Sequence, residues 1–499
     1  MRVNKISHET VLWYNWFMQT NSLFFARSTA FATFPDTTDL ARSFLRDTYT
    51  DINGDLHLRH WRRRWYRYGD GCYLALDQDG LEVSMRLHVQ RTYEQKSQNH
   101  HCAMPEVTKT LVANALDALR AEVFIPTEMN HPAWLQGQTP PGEVLHVADR
   151  LVELPSASGE GASHAHTPHF FSVNMLPGRF DETLPDPPLF AKFLDETFEG
   201  DQERIRFVQE WMGYLLVPDT SRQQMLIMLG EGRNGKSVLL DVISDMLGHR
   251  NVSNVPLDNL ASRFGLGSTE NKLVNICADV GNARRIDEGV LKQFVGGDMM
   301  EVEEKYQAPR SFRPTARVMA SANTLPSFKD SSFGFWRRIL VLPFNRQVPD
   351  SQVDRNLTKK LLAERDSILL FAFLGLLRLR STGDFTSSRK MAEAVKKYQK
   401  QSSPVQEFLS QFYAEGSGAV SKDSVYQEYV GWNASQGNTA ALNQSQLGIE
   451  VKRAFPNVAD GREPVAPRRY SYEGLLKKAP ALGEPTLGSR GVEQTLEVA

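Results

Sequence analysis

Apolar residues recur every three or four positions between Pro188 and Asp219, as one face of an amphipathic helix requires. The pattern is interrupted at Gly200-Asp201, so it predicts two short helices in succession. Residues 368–377 form a continuous apolar run that is too short to cross a bilayer. This run predicts a buried helix.

Apolar segments alternate with helical ones in the middle of the chain. Residues 238–247 predict a helix that ends at Gly248, and residues 287–295 predict another that ends at Gly296-Gly297. The predicted strands cover residues 224–229, 272–279, 316–323 and 338–344. Strands that alternate with helices favour an α/β core with a parallel sheet and crossover connections.

These patterns divide the chain into four segments. We predict a mixed, aromatic and basic lead-in at 1–110, a helical segment at 111–220, the α/β core at 221–400 and a smaller domain at 401–499. The chain is expected to be helical from Phe344 to about Lys400, and Ser403-Pro404 predicts a linker.

Composition adds few constraints. A length of 499 residues suits about three domains, and 57 Lys+Arg against 59 Asp+Glu give a net charge of −2. A nucleic-acid function must therefore rest on local features. Cys72, Cys102 and Cys277 form no pair typical of a zinc site or a disulfide framework. With no evident signal peptide, we expect a reducing, cytosolic compartment.

Residues 230–237 match the phosphate-binding pattern G-x-x-x-x-G-K-[ST]. They are Gly230, Glu231, Gly232, Arg233, Asn234, Gly235, Lys236 and Ser237. Glycines let backbone N–H groups face the phosphates, the lysine places a charge on their oxygens, and the serine hydroxyl suits Mg²⁺. The alternative is a glycine-rich turn that matches by chance. The strand predicted before it and the helix predicted after it favour a nucleotide-binding loop.

Polar residues border the other predicted strands. Asp279 ends one strand, where it can hold Mg²⁺ or orient the attacking water, or be an acidic turn residue. Asn323 ends another, where it can bind the γ-phosphate or simply lead a turn. Arg337 and Arg338 precede the last strand, either as a finger on the transferred phosphoryl group or as surface arginines beside a buried Trp.

Taken together, three segments resemble the superfamily 3 helicases. They are GEGRNGKSVLLDVISDMLG, NKLVNICADVGNARRIDEGVLKQFVGGDMMEVEEKYQ and FRPTARVMASANTLPSFKDSSFGFWRRILVLPF. The I-D-E-x-x-x-K-x-x-x-G-G-D segment, followed by N-x-x-P and W-R-R, is typical of the phage/plasmid primase–helicase family, which also resembles the poxvirus primase-helicase. Weaker similarity extends over residues 58–478.

The resemblance implies an AAA+-like P-loop NTPase core, preceded by a mixed lead-in and a helical collar and followed by a winged-helix-like domain. It implies that Gly235, Lys236 and Ser237 hold the phosphates of ATP and Mg²⁺. Asp279 would be the Walker B acid and Asn323 the sensor.

The resemblance also implies an assembly and a partner. Arg337 or Arg338 would act as an arginine finger across a subunit boundary, and Lys305 and Tyr306 would lie on a hairpin that grips DNA. Such proteins form homo-hexameric rings that translocate on single-stranded DNA. We therefore expect a phage, prophage or plasmid protein in the cytoplasm of a bacterial host, with no membrane association and with a separate primase as a possible partner.

The sequence departs from the family at two places. Asp279 stands where glutamate is common, so hydrolysis is expected to be slow or to use Asp287 or Glu288 instead. Only about 60 residues precede the aromatic-rich segment at 58–85 within the lead-in, too few for the primase domain of many relatives. The one D-x-D motif, Asp77-Gln78-Asp79, predicts a hairpin turn. We thus expect a helicase part without primase activity.

These inferences predict an ATP-dependent DNA helicase of mobile-element replication. The first alternative is an initiator or loader that binds DNA and ATP with little unwinding. The second is an NTPase unrelated to nucleic acid. Stimulation of ATP hydrolysis by DNA, and strand displacement, separate the three possibilities.

Three further features have two interpretations each. Residues 59–68 interleave arginines with Trp and Tyr, which favours either stacking on single-stranded nucleic acid or a half-buried strand with exposed arginine tips. Arg468-Arg469 is a DNA contact or a solvated pair. The histidine groups have ligand-like spacing but no evident further ligand, so they predict no zinc site; they are His164, His166 and His169, and His100-His101 with Cys102.

Overall fold

The computed structural model describes residues 34–135, 144–155, 161–262, 264–278, 280, 286–303, 309–326, 328, 332–402, 404–436, 441–462 and 470–478. The chain divides into two compact units, with the boundary between His131 and Pro132.

Three helices and a small antiparallel sheet form the first unit. The elements are α1 (Thr37–Tyr49), β1 (Leu58–Trp61), β2 (Arg64–Gly69), β3 (Cys72–Leu76), α2 (Gln78–His100) and α3 (Lys109–Glu122). The strands pair in the order β1-β2-β3. Leu58 and Trp65 of the sheet pack with Leu40, Val89 and Val112 of the helices, which closes a core.

The hairpin turn predicted at Asp77 is wrong. Asp77 is the N-cap of α2, and its side chain accepts a hydrogen bond from the Gly80 N–H at 2.9 Å. Aspartate followed by glycine suits both a turn and a helix start, because in each case the carboxylate binds a nearby backbone N–H. The turn between β2 and β3 is instead Asp70-Gly71, both with positive φ.

Short strands and two helices begin the second unit. They are β4 (Ala133–Trp134), β5 (Val144–His146), β6 (Leu151–Glu153), β7 (Ser163–His164), β8 (Phe170–Phe171), α4 (Pro188–Phe198) and α5 (Gln202–Tyr214). The predicted helix break is confirmed. Glu199 and Gly200 have φ of 56° and 74°, and Asp201 caps α5 through the Arg204 N–H.

A five-stranded parallel sheet forms the centre of this unit, which confirms the predicted parallel sheet and adds a fifth, unpredicted strand at Val252–Ser253. Its region contains β9 (Met225–Leu229), α6 (Lys236–Leu247), β10 (Val252–Ser253), β11 (Val274–Cys277), α7 (Glu288–Gly296), β12 (Met300–Val302), β13 (Arg310–Phe312), β14 (Arg317–Ala322), α8 (Phe333–Trp336) and β15 (Ile339–Pro343). The sheet order is β10-β11-β14-β9-β15, and every pairing is parallel. β12 and β13 form a separate antiparallel hairpin.

Short 3₁₀ turns also interrupt the loops of this region. They are His249–Asn251, Leu257–Asn259, Leu266–Thr269 and Asp350–Gln352.

Helices dominate the next segment. They are α9 (Leu357–Leu362), α10 (Arg365–Thr382) and α11 (Arg389–Ser402). The predicted buried helix at 368–377 is confirmed within α10. Across the described ranges, no helix combines the length and apolar character that a bilayer crossing requires.

α10 crosses α5 at unusually close range. A Cβ on Gly213 would lie 2.3 Å from the Leu376 nitrogen, and one on Gly375 would lie 2.1 Å from the Gln209 carbonyl oxygen. Beside this crossing, the buried Glu210 carboxylate accepts a hydrogen bond from Arg378 Nε at 2.7 Å. The two helices therefore depend on small residues at their contact point.

The chain ends in a mixed domain. Its elements are α12 (Pro404–Phe412), β16 (Tyr413–Ser421), α13 (Lys422–Ser435), α14 (Gln444–Ala454), β17 (Ala459–Arg462) and β18 (Tyr470–Lys477). The sheet order is β16-β18-β17. The linker predicted at Ser403-Pro404 is wrong at Pro404, which already begins α12. Proline suits the first turn of a helix as well as a linker, because its missing N–H is not needed there.

Replacing Gly213 with alanine should destabilise the second unit. The new methyl group would overlap backbone atoms of α10, and overpacking of this kind costs about 1–3 kcal/mol. Thermal unfolding followed by circular dichroism measures the change. Gly431→Ala in α13 is the control, because nothing lies within 4 Å of a Cβ there and alanine favours helix. Equal melting temperatures for the Gly213→Ala variant and the native chain would contradict the close-crossing argument.

Candidate functional site

The phosphate-binding pattern lies between a buried strand and a helix, as predicted. β9 ends at Leu229, and α6 begins at Lys236 with Gly235 as its N-cap. Because the sheet is parallel, this turn lies at the carboxyl edge of the strands, where α/β sheets bind ligands. The first N–H groups of α6 add the positive end of its dipole.

Two glycines of the turn are required by its geometry. A Cβ on Gly230 would lie 2.3 Å from the Phe344 carbonyl oxygen and 2.4 Å from Asn234 Nδ2. Gly235 has a φ of +89°, in the left-handed region that side chains disfavour. A Cβ on Gly232 would instead meet open space. The tight curvature therefore rests on the first and last glycines of the pattern.

The Lys236 amine lies among oxygen atoms. It donates to the carbonyl oxygens of Gly230 and Glu231, the latter at 3.2 Å, and to Asn234 Oδ1 at 3.1 Å. Asn323, just after β14, accepts from the same amine at 3.4 Å. The lysine is only 6% exposed. The fold thus brings together two predicted site residues that lie 87 positions apart in the sequence.

A cavity of about 380 Å³ opens beside this group. Residues 232–238 line it from the loop and α6, and Ala278, Ser321 and Asn323 line it from β14 and the end of β11. The volume is typical of small-molecule sites. Backbone N–H groups, an ammonium group, hydroxyls and two side-chain amides in the lining suit a phosphate-bearing ligand.

A second, larger cavity of about 740 Å³ shares no residue with the loop. Its wall carries four carboxylates, which are Asp149, Asp181, Glu182 and Asp366, against Arg150 and Arg179. An excess of negative charge repels polyphosphate, so the smaller cavity is the better nucleotide site despite its size.

Of the acidic residues predicted to assist the loop, the structure describes Asp287 and Glu288. Asp279 lies outside the described residues, although its neighbour Ala278 lines the cavity. Asp287 is the N-cap of α7 and accepts from the Val290 N–H at 3.0 Å, so it has a structural task. Glu288, the other acidic candidate, lies near Tyr398. Burial first, and then the negative charge of Glu288, raises the pKa of the Tyr398 hydroxyl group.

A buried arginine stabilises the segment at the end of β15 that contacts the phosphate-binding loop. Arg204 is fully buried in α5 and donates to Asp201 Oδ2 at 2.8 Å, to the Phe198 carbonyl at 2.7 Å and to the Pro343 carbonyl at 2.9 Å. The carbonyl of the next residue, Phe344, accepts from Asn234 at 3.3 Å. Sequence reasoning missed Arg204; Asp201 three positions earlier was the only local signal.

Arg337 and Arg338 precede β15, at the opposite edge of the sheet from the loop. Ile339 pairs with Met225, so the length of β9, about 16 Å, separates them from the loop of their own chain. Arg337 is exposed and donates to Gln223 Oε1 at 2.9 Å. Arg338 donates to the Gly334 carbonyl. Burial, then the Arg337 charge, lowers the pKa of Arg338.

The predicted DNA-gripping hairpin is described only at its stem. Lys305 and Tyr306 lie outside the described residues, and β12 and β13 pair on either side of them. Arg310 of the stem forms an ion pair with the nearly buried Glu270 carboxylate. This pair ties the hairpin to the segment that leads into β11.

The remaining candidates have ordinary structural settings. His164 Nε2 lies 2.9 Å from Glu153 Oε1, and His166 Nε2 lies 2.8 Å from the Val147 carbonyl. His101 ends α2 with a positive φ. In the part of the chain that the structure describes, no three His, Cys, Asp or Glu side chains form a metal-binding group. Arg468 and Arg469 lie outside that part.

The aromatic part of residues 59–68 belongs to the core of the first unit. Trp61, Trp65 and Tyr66 are at most 3% exposed. The hypothesis that these rings stack on bases is therefore wrong for them, and the half-buried-strand interpretation matches the structure. These rings lie on both faces of the sheet and are buried on both. The alternation of residues along one strand does not reveal that both of its faces are buried.

Comparisons with known proteins are consistent with this site. A family of unknown function (DUF5906) matches residues 228–338, the segment from the loop to the paired arginines. "Putative helicase 121R" of Invertebrate iridescent virus 3 is 22% identical over 325 residues, covering 56% of this chain and 34% of that protein. "Putative helicase L207/L206" of Acanthamoeba polyphaga mimivirus is 25% identical over 188 residues, covering 36% and 19%. The chain thus spans about a third or less of these viral relatives.

Among solved structures, the apo form of the NrS-1 C-terminal region has a similar fold. The TM-score is 0.51 at 11% identity, over 88% of this chain and 100% of that one. Together with the helicase-named viral relatives, this likeness supports the resemblance seen in the sequence. The chain is therefore similar to part of two viral proteins that are named helicases, and it shares its fold with the NrS-1 C-terminal region.

Proposed function

We propose that this chain is an ATP-dependent DNA helicase that acts in the replication of a phage, prophage or plasmid in a bacterial host. The observation that carries the proposal is the Lys236–Asn323 contact at the carboxyl edge of a parallel sheet, inside a strand–loop–helix phosphate site. The similarity to helicase-named viral proteins supports the class of reaction.

The loop suits the triphosphate of ATP. Its N–H groups would bind the phosphate oxygens, and Lys236 would exchange its carbonyl partners for them because charged oxygens are stronger acceptors. Ser237 and Asp279 would hold Mg²⁺, which neutralises charge on the phosphates when bound. Asn323 would bind the γ-phosphate or the attacking water, a role that its contact with Lys236 supports.

Arg337 fits the role of arginine finger better than Arg338. A finger needs an exposed guanidinium group. Both arginines donate a hydrogen bond within the chain, but Arg337 is exposed and Arg338 is partly buried. Both lie at the edge of the sheet opposite to their own loop. The finger would therefore act on ATP bound by a neighbouring subunit, which favours a ring, with six subunits as the family resemblance suggests.

The DNA would pass through the ring and contact Lys305 and Tyr306 on the β12–β13 hairpin. The Glu270–Arg310 ion pair would transmit movement between this hairpin and β11. The helix–strand–helix–helix–strand–strand order of the C-terminal domain supports a winged-helix-like module that helps bind DNA or partner proteins such as a primase.

A second candidate function is an ATP-binding initiator or loader with little unwinding. Asp279 in place of glutamate favours it, because a side chain one methylene shorter is less able to activate water. Strand displacement separates the two: DNA-stimulated ATP hydrolysis without displacement would support the loader. Size measurement with nucleotide present tests the ring.

Lys236→Ala should lower DNA-stimulated ATP hydrolysis by at least about a hundredfold, because the phosphate charge loses its ammonium partner. Steady-state phosphate release measures this loss. Lys360→Ala, which removes an exposed lysine on α9, should retain the native rate. Native-level unwinding by the Lys236→Ala variant would refute the helicase proposal.

The finger assignment predicts complementation between two inactive variants. Arg337→Ala subunits and Lys236→Ala subunits should each lack ATPase activity, yet a mixture should regain part of it, because some interfaces pair an intact loop with an intact finger. Phosphate release from mixed and unmixed samples measures this. If the Arg337→Ala variant keeps full activity and only Arg338→Ala loses it, the finger is Arg338 instead.

A further inference from the structure

The turn between β1 and β2 has an unusual composition for its geometry. It consists of Arg62 and Arg63 alone, because Trp61 and Arg64 on either side pair with each other. Both arginines have positive φ, 46° and 64°. Two-residue turns of this kind strongly favour Asn-Gly, since most L-residues are strained in the left-handed region.

Neighbouring residues hold the turn in this conformation. The Arg62 guanidinium group stacks on the Trp61 ring at 4.3 Å from its centroid. It donates to Asn130 Oδ1 at 2.7 Å and to the Thr127 carbonyl at 3.3 Å. Trp61 is fully buried, and its Nε1 donates to the Met129 carbonyl at 2.9 Å. Residues 127–130 thus stabilise a turn that its own backbone disfavours.

The turn displays a cluster of positive charge. Arg63 is exposed and forms no hydrogen bond or ion pair with the described part of the chain. Arg64 is partly exposed and Arg67 is exposed, so four arginines occur within six residues. The nearby carboxylate of Glu128 accepts from the Thr127 hydroxyl. Backbone strain that the surrounding structure maintains in this way is typical of functional positions.

We propose that this arginine turn binds the phosphate backbone of single-stranded DNA. Arg63 would contact a phosphate directly, since guanidinium groups bind phosphate oxygens in pairs. Arg62 is the residue that positions the turn. The Trp61, Trp65 and Tyr66 rings are buried, so the arginines rather than these rings would make the contact, and binding to phosphates would be independent of base sequence. The site needs no nucleotide and goes beyond the proposed ATPase cycle.

Arg63→Gly separates stability from binding. Glycine tolerates positive φ, so the full-length variant should melt at the same temperature as the native chain or higher. Its affinity for a thirty-nucleotide oligothymidylate, measured by fluorescence anisotropy without nucleotide, should fall at least about threefold at low salt. The slope of log affinity against log salt should decrease by about 0.7, the value for one lost phosphate contact.

Two matched variants complete the test. Arg63→Lys should keep most of the salt slope, because the charge remains. Arg46→Gln, which removes an exposed arginine on α1 of the same unit, should leave affinity and slope unchanged. Native affinity and slope for Arg63→Gly, or an equal loss for Arg46→Gln, would overturn the proposal. Arg63-dependent DNA binding in a chain that proves to lack ATPase activity would support this site while the helicase proposal failed.

Discussion

The almost buried ammonium group of Lys236 is the constraint on which the site depends. A charge removed from water must be surrounded by oxygen atoms, and here the Gly230, Glu231 and Asn234 oxygens surround it. That arrangement requires the chain to fold back tightly after β9, which only glycine permits at Gly230. It also requires β14 beside β9, so that the Asn323 amide can reach the same amine.

A second buried cation, Arg204, connects the phosphate loop to the helices of the same unit. Arg204 binds the Pro343 carbonyl at the end of β15, one residue before the carbonyl that binds Asn234. α5, which carries Arg204, is in turn fixed against α10 by the close approach at Gly213. Rigid helices therefore hold the sheet edge from which the phosphate loop begins, the kind of support that keeps a binding site preorganised.

Much of this architecture could be predicted, and the failures have local causes. The parallel sheet and the break at Gly200-Asp201 follow from periodicity and from glycine and aspartate chemistry. The Asp77 segment was mispredicted because turns and helix starts use the same residue types. Pro404 was mispredicted because proline suits both a linker and a first helical turn. The aromatic residues of β1 and β2 allow two interpretations from sequence, stacking on bases or burial in a core. Burial of both faces of the sheet depends on segments that are distant in the chain.

Local sequence is sufficient to specify the loop at Gly230–Ser237, because its conformation depends on glycines, a strand and a helix within a few residues of one another. It also indicated the chemistry, since lysine, serine and asparagine are the groups that phosphates require. Three features become visible only in the folded chain: Lys236 meets Asn323, Arg337 is exposed at the far edge of the sheet, and Arg62 is held by Asn130. These contacts join residues far apart in the chain, and their partners are selected by packing rather than by local propensity.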